Sequence, residues 1–289
     1  MSSVATMLYE SLTYSKKVRE GNYFFEMEEW TKLGAKTVRS KYSQHLNIYM
    51  NTRSMDGYEF SCTVSDLNFE MDKTLAKQKV MLLELSELTQ HLEIALNPEA
   101  NIIDLINYKK IWKKWERLKT KMKQRNQGAL AHGYIDAVSK KLDDKSKFLQ
   151  DIQQYRMLGL IFNGLQGKFF NGRHKLVRAR TYQNMIHCLP LHVEETVQQT
   201  SHLIETAPFQ FEMTGVLKPI AETPKSRMKK YFQYYLINGN ALALDKYDGT
   251  YTINPATGWI NEARLSILLS NHAGYEREFY YHLKLENHG

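Results

Sequence analysis

The strongest constraint on the fold of this sequence is the pattern of strands and turns that follows Asp248. The pair Asp248-Gly249 precedes a short strand-like run, 250–253. The segment 254–258 then has the composition of a turn, and a second strand-like run follows at 259–270. Beyond these, apolar side chains alternate with polar ones at Phe279, Tyr281, Leu283 and Leu285. Because successive side chains of a strand point to opposite faces, these four share one face of a strand. The turn also predicts a positive φ at Gly258, since glycine adopts that conformation without steric cost.

A second strand-rich block opens the chain. Its predicted strands are 12–18, 23–30, 42–50 and 58–64. Asp56-Gly57 predicts a hairpin turn between the last two, and a change of apolar register at Leu67 predicts a bulge near Asp66. Since strands bracket the chain at both ends, we predict the α+β class: a curved, mainly antiparallel sheet built from N- and C-terminal strands and packed against a central helical layer.

The middle of the chain has helical periodicity. Helices are predicted at 73–88, in the basic segment between Asn107 and Arg125, and at 129–142 and 147–165. A further helix has Thr223 as its cap, Pro224 in its first turn and a buried face of Met228, Tyr231, Phe232, Tyr235 and Leu236. Residues 91–106 predict a hairpin around Pro98 instead, because a proline inside a helix costs about 3 kcal/mol. Strands return at 175–185, 192–199 and 209–215.

No internal repeat or linker divides the sequence, so we expect one composite domain over residues 1–289. It would comprise N-terminal strands (1–72), a mainly helical middle with a hairpin (73–167), and C-terminal strands with one helix (168–289). No run reaches the length of a membrane-spanning helix. Residues 1–10 lack the basic and apolar segments of a secretory signal, so we expect no cleaved signal and a cytoplasmic location.

The net charge of +8 comes from one segment. Between Asn107 and Arg125 there are nine Lys or Arg residues and a single Glu, which accounts for the whole excess. An apolar stripe of Ile111, Trp115, Leu118 and Met122 at helical spacing predicts that one face of this helix is buried. The candidate partner-binding residues on the rest of its circumference are Lys109, Lys110, Lys113, Lys114, Arg117, Lys121, Lys123 and Arg125.

Three interpretations of these basic residues remain open: a solvated helix face, which charge runs most often form, an acidic protein partner, or nucleic acid and membrane surfaces. No aromatic residues interleave on the basic face, which argues against binding of single-stranded nucleic acid.

Motifs for catalysis or metal binding are weak in this sequence. Two cysteines, Cys62 and Cys188, are too few for a disulfide framework, so we expect reduced, buried thiols. The group His187, Cys188 and His192 does not have the spacing of a zinc site, and we predict no metal and no cofactor. The adjacent carboxylates Glu194 and Glu195 are predicted to be solvated. An enzyme with a site assembled from distant residues is therefore the third hypothesis.

The segment Tyr251-Thr252-Ile253-Asn254-Pro255-Ala256-Thr257-Gly258-Trp259 resembles the late hairpin turn of bacterial half-barrel, lipoprotein-carrier-like proteins. The order of strands, helices and strands over most of the chain resembles them too. The resemblance implies a curved antiparallel sheet that wraps around helices and shelters an apolar ligand.

The leading functional hypothesis is a non-enzymatic, bacterial adaptor or chaperone-like component that binds another protein, such as an accessory of a secretion or contractile injection assembly. The alternative is a carrier or binder of an apolar small molecule in a half-barrel cavity. A packed core without a cavity would favour the adaptor, and a cavity lined by Tyr and Phe would favour the binder.

Overall fold

The computed structural model describes residues 13–71, 76–126, 128–153, 156–166, 175–186, 189–200, 208–220, 222–235, 237 and 242–287. Its strands are β1 (Glu20–Leu33), β2 (Lys36–Arg53), β3 (Tyr58–Glu70), β4 (His91–Leu96), β5 (Ile102–Leu105), β6 (Lys175–Ile186), β7 (Leu189–Gln199), β8 (Phe209–Leu217), β9 (Ala243–Ile253), β10 (Ile260–Ser270) and β11 (Tyr275–Asn287). Its α-helices are α1 (Ala76–Ser86), α2 (Tyr108–Arg125), α3 (Ala129–Leu142), α4 (Lys145–Gln153), α5 (Arg156–Ile161) and α6 (Glu222–Tyr234), and Glu87–Thr89 form a 3₁₀ turn.

All of these strands belong to one open, curved antiparallel sheet in the order β5-β4-β3-β2-β1-β11-β10-β9-β8-β7-β6. Two meanders, β1 to β5 and β6 to β11, are joined where the first strand pairs with the last, with Phe25 opposite Leu283. Strands from both ends of the chain therefore lie at the centre of the sheet. The predicted α+β class, with a curved antiparallel sheet built from both termini, is confirmed.

The inner face of the sheet supplies most of the core. On β11 the predicted alternation is present: Phe279, Tyr281 and Leu283 are buried, and Lys284 between Leu283 and the partly buried Leu285 is exposed. The same period of two repeats on β2, where Leu46, Ile48 and Met50 are buried.

The helical layer packs against the inner face of the sheet, where the ring of Phe162 lies 5.4 Å from the ring of Phe60 on β3. Helices α2 to α5 connect the two edge strands, β5 and β6. Gln153 at the end of α4 donates a hydrogen bond to the Ile102 carbonyl of β5 (2.7 Å), and every residue from Met157 to Gln166 is buried. The α5 region is therefore the part of the helical layer that lies deepest against the sheet.

Local features of the sequence predict several details correctly. Asp66 has φ of 52°, and the register between β2 and β3 shifts beside it, which is the predicted bulge. Gly258 has φ of 71° in the turn between β9 and β10. Strands β4 and β5 form the predicted hairpin around Pro98, and α3 has the predicted bounds.

Other local predictions were wrong. Asp248-Gly249 lies inside β9 and not before it, because both residues pair with β8 on one side and β10 on the other. Residues 13–18 are not a strand, and the predicted helix 147–165 is two helices, α4 and α5, followed by irregular structure. Tyr235 is exposed, since α6 ends at Tyr234.

The helix α6 begins at Glu222, so Thr223 is not its N-cap. Predictions that involve residues 12, 73–75, 187, 188 and 236 lie outside the described residues. Among the helices that the structure describes, none is long and apolar enough to cross a membrane.

Candidate functional site

The basic helix α2 lies on the outside of the helical layer. Ile111, Trp115 and Met122 are buried as predicted, and the Trp115 indole N–H donates to the Ser139 hydroxyl of α3 (3.2 Å). Seven of the eight candidate partner-binding residues are exposed, and Lys123 is partly exposed.

Four of these eight side chains form ion pairs or hydrogen bonds with other segments of the protein. Three form ion pairs, Lys110 with Glu93 (3.1 Å), Lys123 with Asp136 (2.8 Å) and Arg125 with Glu84 (2.6 Å), and Lys114 Nζ donates to the Glu87 carbonyl (2.6 Å). The other four form no ion pair with the described residues and recur every four positions: Lys109, Lys113, Arg117 and Lys121. We name these four residues the basic stripe. Its role in binding a partner remains a prediction.

A different cluster of polar residues lies on the inner face of the sheet, where sequence reasoning had placed only apolar side chains. Alternation brings Arg178, Arg180 and Tyr182 of β6 to this face, together with Glu195 of β7 and Tyr247 and Tyr251 of β9. We name these six residues the inner polar cluster. It lies at the end of the sheet that contains edge strand β6.

Glu195 is the centre of the cluster. Its side chain is 1% exposed and accepts a hydrogen bond from Arg178 Nε at Oε1 (2.6 Å). At Oε2 it accepts one from the Tyr247 hydroxyl (2.5 Å), and the hydroxyls of Tyr182 and Tyr247 lie 2.5 Å apart. Because a phenol has one hydrogen to donate, Tyr182 donates to Tyr247 and Tyr247 donates to Glu195.

The charges of the cluster are fixed by their neighbours. Burial alone would raise the pKa of Glu195, but the charges of Arg178 and Arg180 and the Tyr247 hydrogen bond outweigh it and hold the pKa below its usual range. Burial would lower the pKa of Arg180, but the charge of Glu195 raises it above its ordinary value. Burial raises the pKa of Tyr182, Tyr247 and Tyr251. At neutral pH the site therefore holds two guanidinium groups, one carboxylate and protonated phenols.

Sheet curvature makes this arrangement possible. Strands β6 and β9 are three steps apart, which is roughly 14 Å in a flat sheet, yet the Tyr182 and Tyr247 hydroxyls touch. Gly215 of β8 lies opposite Glu195 and leaves room for the Tyr247 ring, because a Cβ there would lie 2.7 Å from that ring. A larger residue at this position would push Tyr247 away from Glu195.

A cavity of about 170 Å³ lies beside the cluster, between β6 and the α4–α5 region. Its apolar wall is formed by Leu160, Leu265 and the rings of Tyr182 and Tyr281. Its polar wall includes Gln153, Thr181 and Arg180, whose Nη2 donates to the Gly159 carbonyl (2.9 Å). A cavity with these walls accommodates a molecule that has an apolar body and a polar end.

The Glu194-Glu195 pair was predicted to be solvated, and this was wrong for Glu195. Glu194 is exposed, but Glu195 is buried, because it shares a face with Leu191, Val193 and Val197. The alternation of apolar and polar residues in the sequence is enough to predict that Glu195 faces inward. The same holds for Arg178 and Arg180, which alternate in register with Leu176 and Tyr182.

The structure tests the remaining chemical predictions in part. Cys62 is buried, and burial raises the pKa of its thiol, whereas Cys188 lies outside the described residues. His192 is exposed on β7, where its Nδ1 lies 3.0 Å from the Thr181 hydroxyl. Within the described part of the chain, no group of three His, Cys, Asp or Glu side chains could hold a metal ion.

Comparisons with known proteins identify no family for this chain. No family model matches it, and no curated protein has a similar sequence. One similar solved structure describes lipid–protein interactions in lipovitellin, with a TM-score of 0.47 and 8% identity; the similarity covers 93% of this chain. This chain spans only about a quarter (25%) of that chain's length.

Two further structures are similar at lower TM-scores. DynF from the dynemicin biosynthesis pathway of Micromonospora chersina has a TM-score of 0.21 and 6% identity, with coverage of 95% of this chain and 83% of that one. An outer membrane lipoprotein-sorting protein domain from Vibrio parahaemolyticus has a TM-score of 0.17 and 9% identity, with coverage of 92% and 86%. Similarities this weak assign neither a family nor a function.

Proposed function

We propose that this protein binds a small molecule with an apolar body in the cavity between β6 and the α4–α5 region. The observation that carries the proposal is the cavity itself, which has an apolar wall of Leu160, Leu265 and tyrosine rings on one side and polar groups on the other. Binding pockets combine these features, because apolar contacts provide affinity and a few polar groups fix orientation.

The size of the cavity restricts the ligand. Its volume of about 170 Å³ is close to that of an engineered protein cavity, roughly 150 Å³, that binds benzene. Pockets for drug-sized ligands are larger, about 300–1,000 Å³. The part of the ligand that this cavity holds is therefore compact, about one ring with a short substituent.

From sequence alone, a protein-binding adaptor is the leading hypothesis and a small-molecule binder the alternative. The cavity lined by Tyr182 and Tyr281 reverses that order. No feature of the described residues identifies a protein partner, so the adaptor hypothesis stays a prediction.

Binding can be tested with a panel of monosubstituted benzenes: toluene, phenol, benzamide and benzoate. A probe that occupies the cavity should raise the free energy of unfolding, by about 2.7 kcal/mol at 100 times its Kd. We expect saturable stabilisation in denaturant titrations by at least one probe, together with NMR shift changes at residues that line the cavity.

The matched variants are Leu265→Phe, which fills the cavity, and Ile267→Val on the same strand, away from the cavity wall. Leu265→Phe should lose binding and Ile267→Val should keep it. If no probe binds saturably to the wild-type protein, or if Leu265→Phe binds as well as wild type, the cavity is filled by water only and the proposal is wrong.

A further inference from the structure

The inner polar cluster has an imbalance of charge. Arg178 and Arg180 bring two positive charges to this end of the sheet, and Glu195 brings the one negative charge among the described residues of the cluster. Arg178 takes Glu195 as its direct partner, with Nε 2.6 Å from Oε1. The hydrogen bonds of the Arg180 guanidinium go to neutral acceptors, the Gly159 carbonyl (2.9 Å) and the Tyr182 hydroxyl.

A second ion pair on the same inner face provides an internal comparison. Arg277 of β11 lies 2.6 Å from Glu29 of β1, and this pair is balanced one to one. Among the described residues, the largely buried Arg277 thus has its own carboxylate, whereas the inner polar cluster has one positive charge more than it has carboxylates.

Arg180 brings the surplus positive charge to the wall of the cavity. An arginine in a protein does not lose its proton, so Arg180 remains a cation although its side chain is partly buried. Glu195 attracts Arg180 as well as Arg178, but one carboxylate does not balance two guanidinium groups. A second negatively charged group nearby would offset the cost of holding both cations away from water. Arg180 also forms part of the cavity wall, so an anion in the cavity could reach it.

The Tyr251 hydroxyl adds a second polar group without a partner. It is buried, it forms no hydrogen bond with the described residues, and the charge of Arg180 acts on it. Buried hydroxyls in folded proteins are nearly always hydrogen-bonded, so an unsatisfied one beside a surplus cation is consistent with a site built for a further acceptor.

We infer that the ligand is a carboxylate with a compact apolar body, whose carboxylate group pairs with Arg180 while the body lies against Leu160 and Leu265. This inference rests on the proposed function and specifies its ligand class. One surplus positive charge matches one carboxylate, whereas a phosphate monoester would bring about −1.5 to −2 charges. The planar guanidinium also fits a carboxylate through two parallel hydrogen bonds.

The test compares two probes of the same shape and different charge, benzoate and benzamide, by isothermal titration calorimetry at pH 7. We expect the wild-type protein to bind benzoate about tenfold to a hundredfold more tightly, which is the range for hydrogen bonds to a charged partner. Hexanoate and hexanamide repeat the comparison with an aliphatic body.

Two variants assign the preference to Arg180. Arg180→Gln should bind benzoate and benzamide equally well, and Arg180→Lys, which keeps the charge, should retain part of the preference for benzoate. Circular dichroism spectra of both variants establish that the fold is intact, and the wild-type comparison stands even if one variant does not fold.

The outcomes separate the two proposals. Equal binding of benzoate and benzamide to the wild-type protein would overturn the inferred carboxylate and leave the small-molecule site in place. A benzoate preference that persists in folded Arg180→Gln would show that Arg180 is not the anion partner. If the protein binds none of benzoate, benzamide, hexanoate and hexanamide, the carboxylate ligand is overturned. If toluene and phenol also fail to bind, the proposed function is overturned as well.

Discussion

Glu194 and Glu195 are chemically identical neighbours that β7 places in opposite environments. The Glu194 side chain is 55% exposed, 3.9 Å from Lys218, whereas the Glu195 side chain is 1% exposed and holds Arg178 and Tyr247. Only the alternation of a strand separates the two. The role of each carboxylate is therefore decided by its position along β7 and not by its residue type.

This difference gives a matched pair of substitutions. Glu195→Gln removes the one carboxylate of the inner polar cluster and leaves two partly buried arginines without a counter-charge, so we expect the free energy of unfolding to fall by about 3–5 kcal/mol. Glu194→Gln, on the exposed face, should cost little. Urea titrations of both variants at pH 7 measure the two effects, and equal losses would show that Glu195 is not part of a stabilising ion pair.

The same pair predicts a pH dependence with a definite sign. The pKa of Glu195 is lower in the folded protein than its ordinary value of 4.5, so the folded state favours the ionised form. Its contribution to stability is complete above about pH 4.5 and is lost as pH falls through the lower folded pKa. The stability difference between wild type and Glu195→Gln should therefore narrow below about pH 4.5.

At the residue scale, the sequence held more information than its motifs suggested. Period-two alternation with apolar neighbours predicts that Arg178, Arg180 and Glu195 face inward. Their contact with Tyr247 could not be predicted in this way. It depends on the curvature of the sheet between β6 and β9 and on the space left by Gly215, and neither is a local property.

At the element scale, prediction succeeded where a long stretch had one dominant period. The stripe that begins at Ile111 located α2, and the alternation from Phe279 located β11. It failed where local signals compete. The pair Asp248-Gly249 has turn chemistry, but pairing with β8 and β10 on both sides keeps it in β9, which is a tertiary effect that a sequence window does not contain.

The basic stripe of α2 allows a prediction about this element alone. Its four cations lie at four-residue intervals without an acidic partner among the described residues, and like charges at this spacing repel by about 0.2–0.5 kcal/mol per pair. Lys113→Glu should convert two repulsions, with Lys109 and Arg117, into attractions, against one new repulsion with Glu116, which is already paired with Lys119 (3.0 Å). We expect a small rise in the free energy of unfolding at low salt that shrinks as salt screens the charges.

The control for this prediction is Lys123→Glu, because Lys123 has a partner in Asp136 (2.8 Å). That reversal should lower stability where Lys113→Glu raises it. A clear loss of stability from Lys113→Glu would mean that Lys113 makes a contact within the protein, and the basic stripe would then cease to be a free surface for an acidic partner.

At the scale of the whole molecule, the decisive feature is the pairing of β1 with β11. It joins residues as far apart as Asn22 and Asn287, and it makes one sheet of two meanders that are each local in sequence. The sequence indicated strands at both ends, but the strand order could not be derived from it, since any two exposed strand edges can pair. A single composite domain over residues 1–289 remains our proposal.

Leu283 on β11 tests that proposal, because it is fully buried at the junction, opposite Phe25 of β1 and Ala263 of β10. Leu283→Ala should lower the free energy of unfolding by about 2–5 kcal/mol, and the exposed neighbour Lys284→Ala should have little effect. If the two meanders unfold as one cooperative unit, amide hydrogen exchange should accelerate by the same factor for the slowest amides of β3 and of β8, which lie in different meanders. Faster exchange in β8 with unchanged exchange in β3 would show that the meanders are separate units, and the inner polar cluster would then belong to a C-terminal domain of its own.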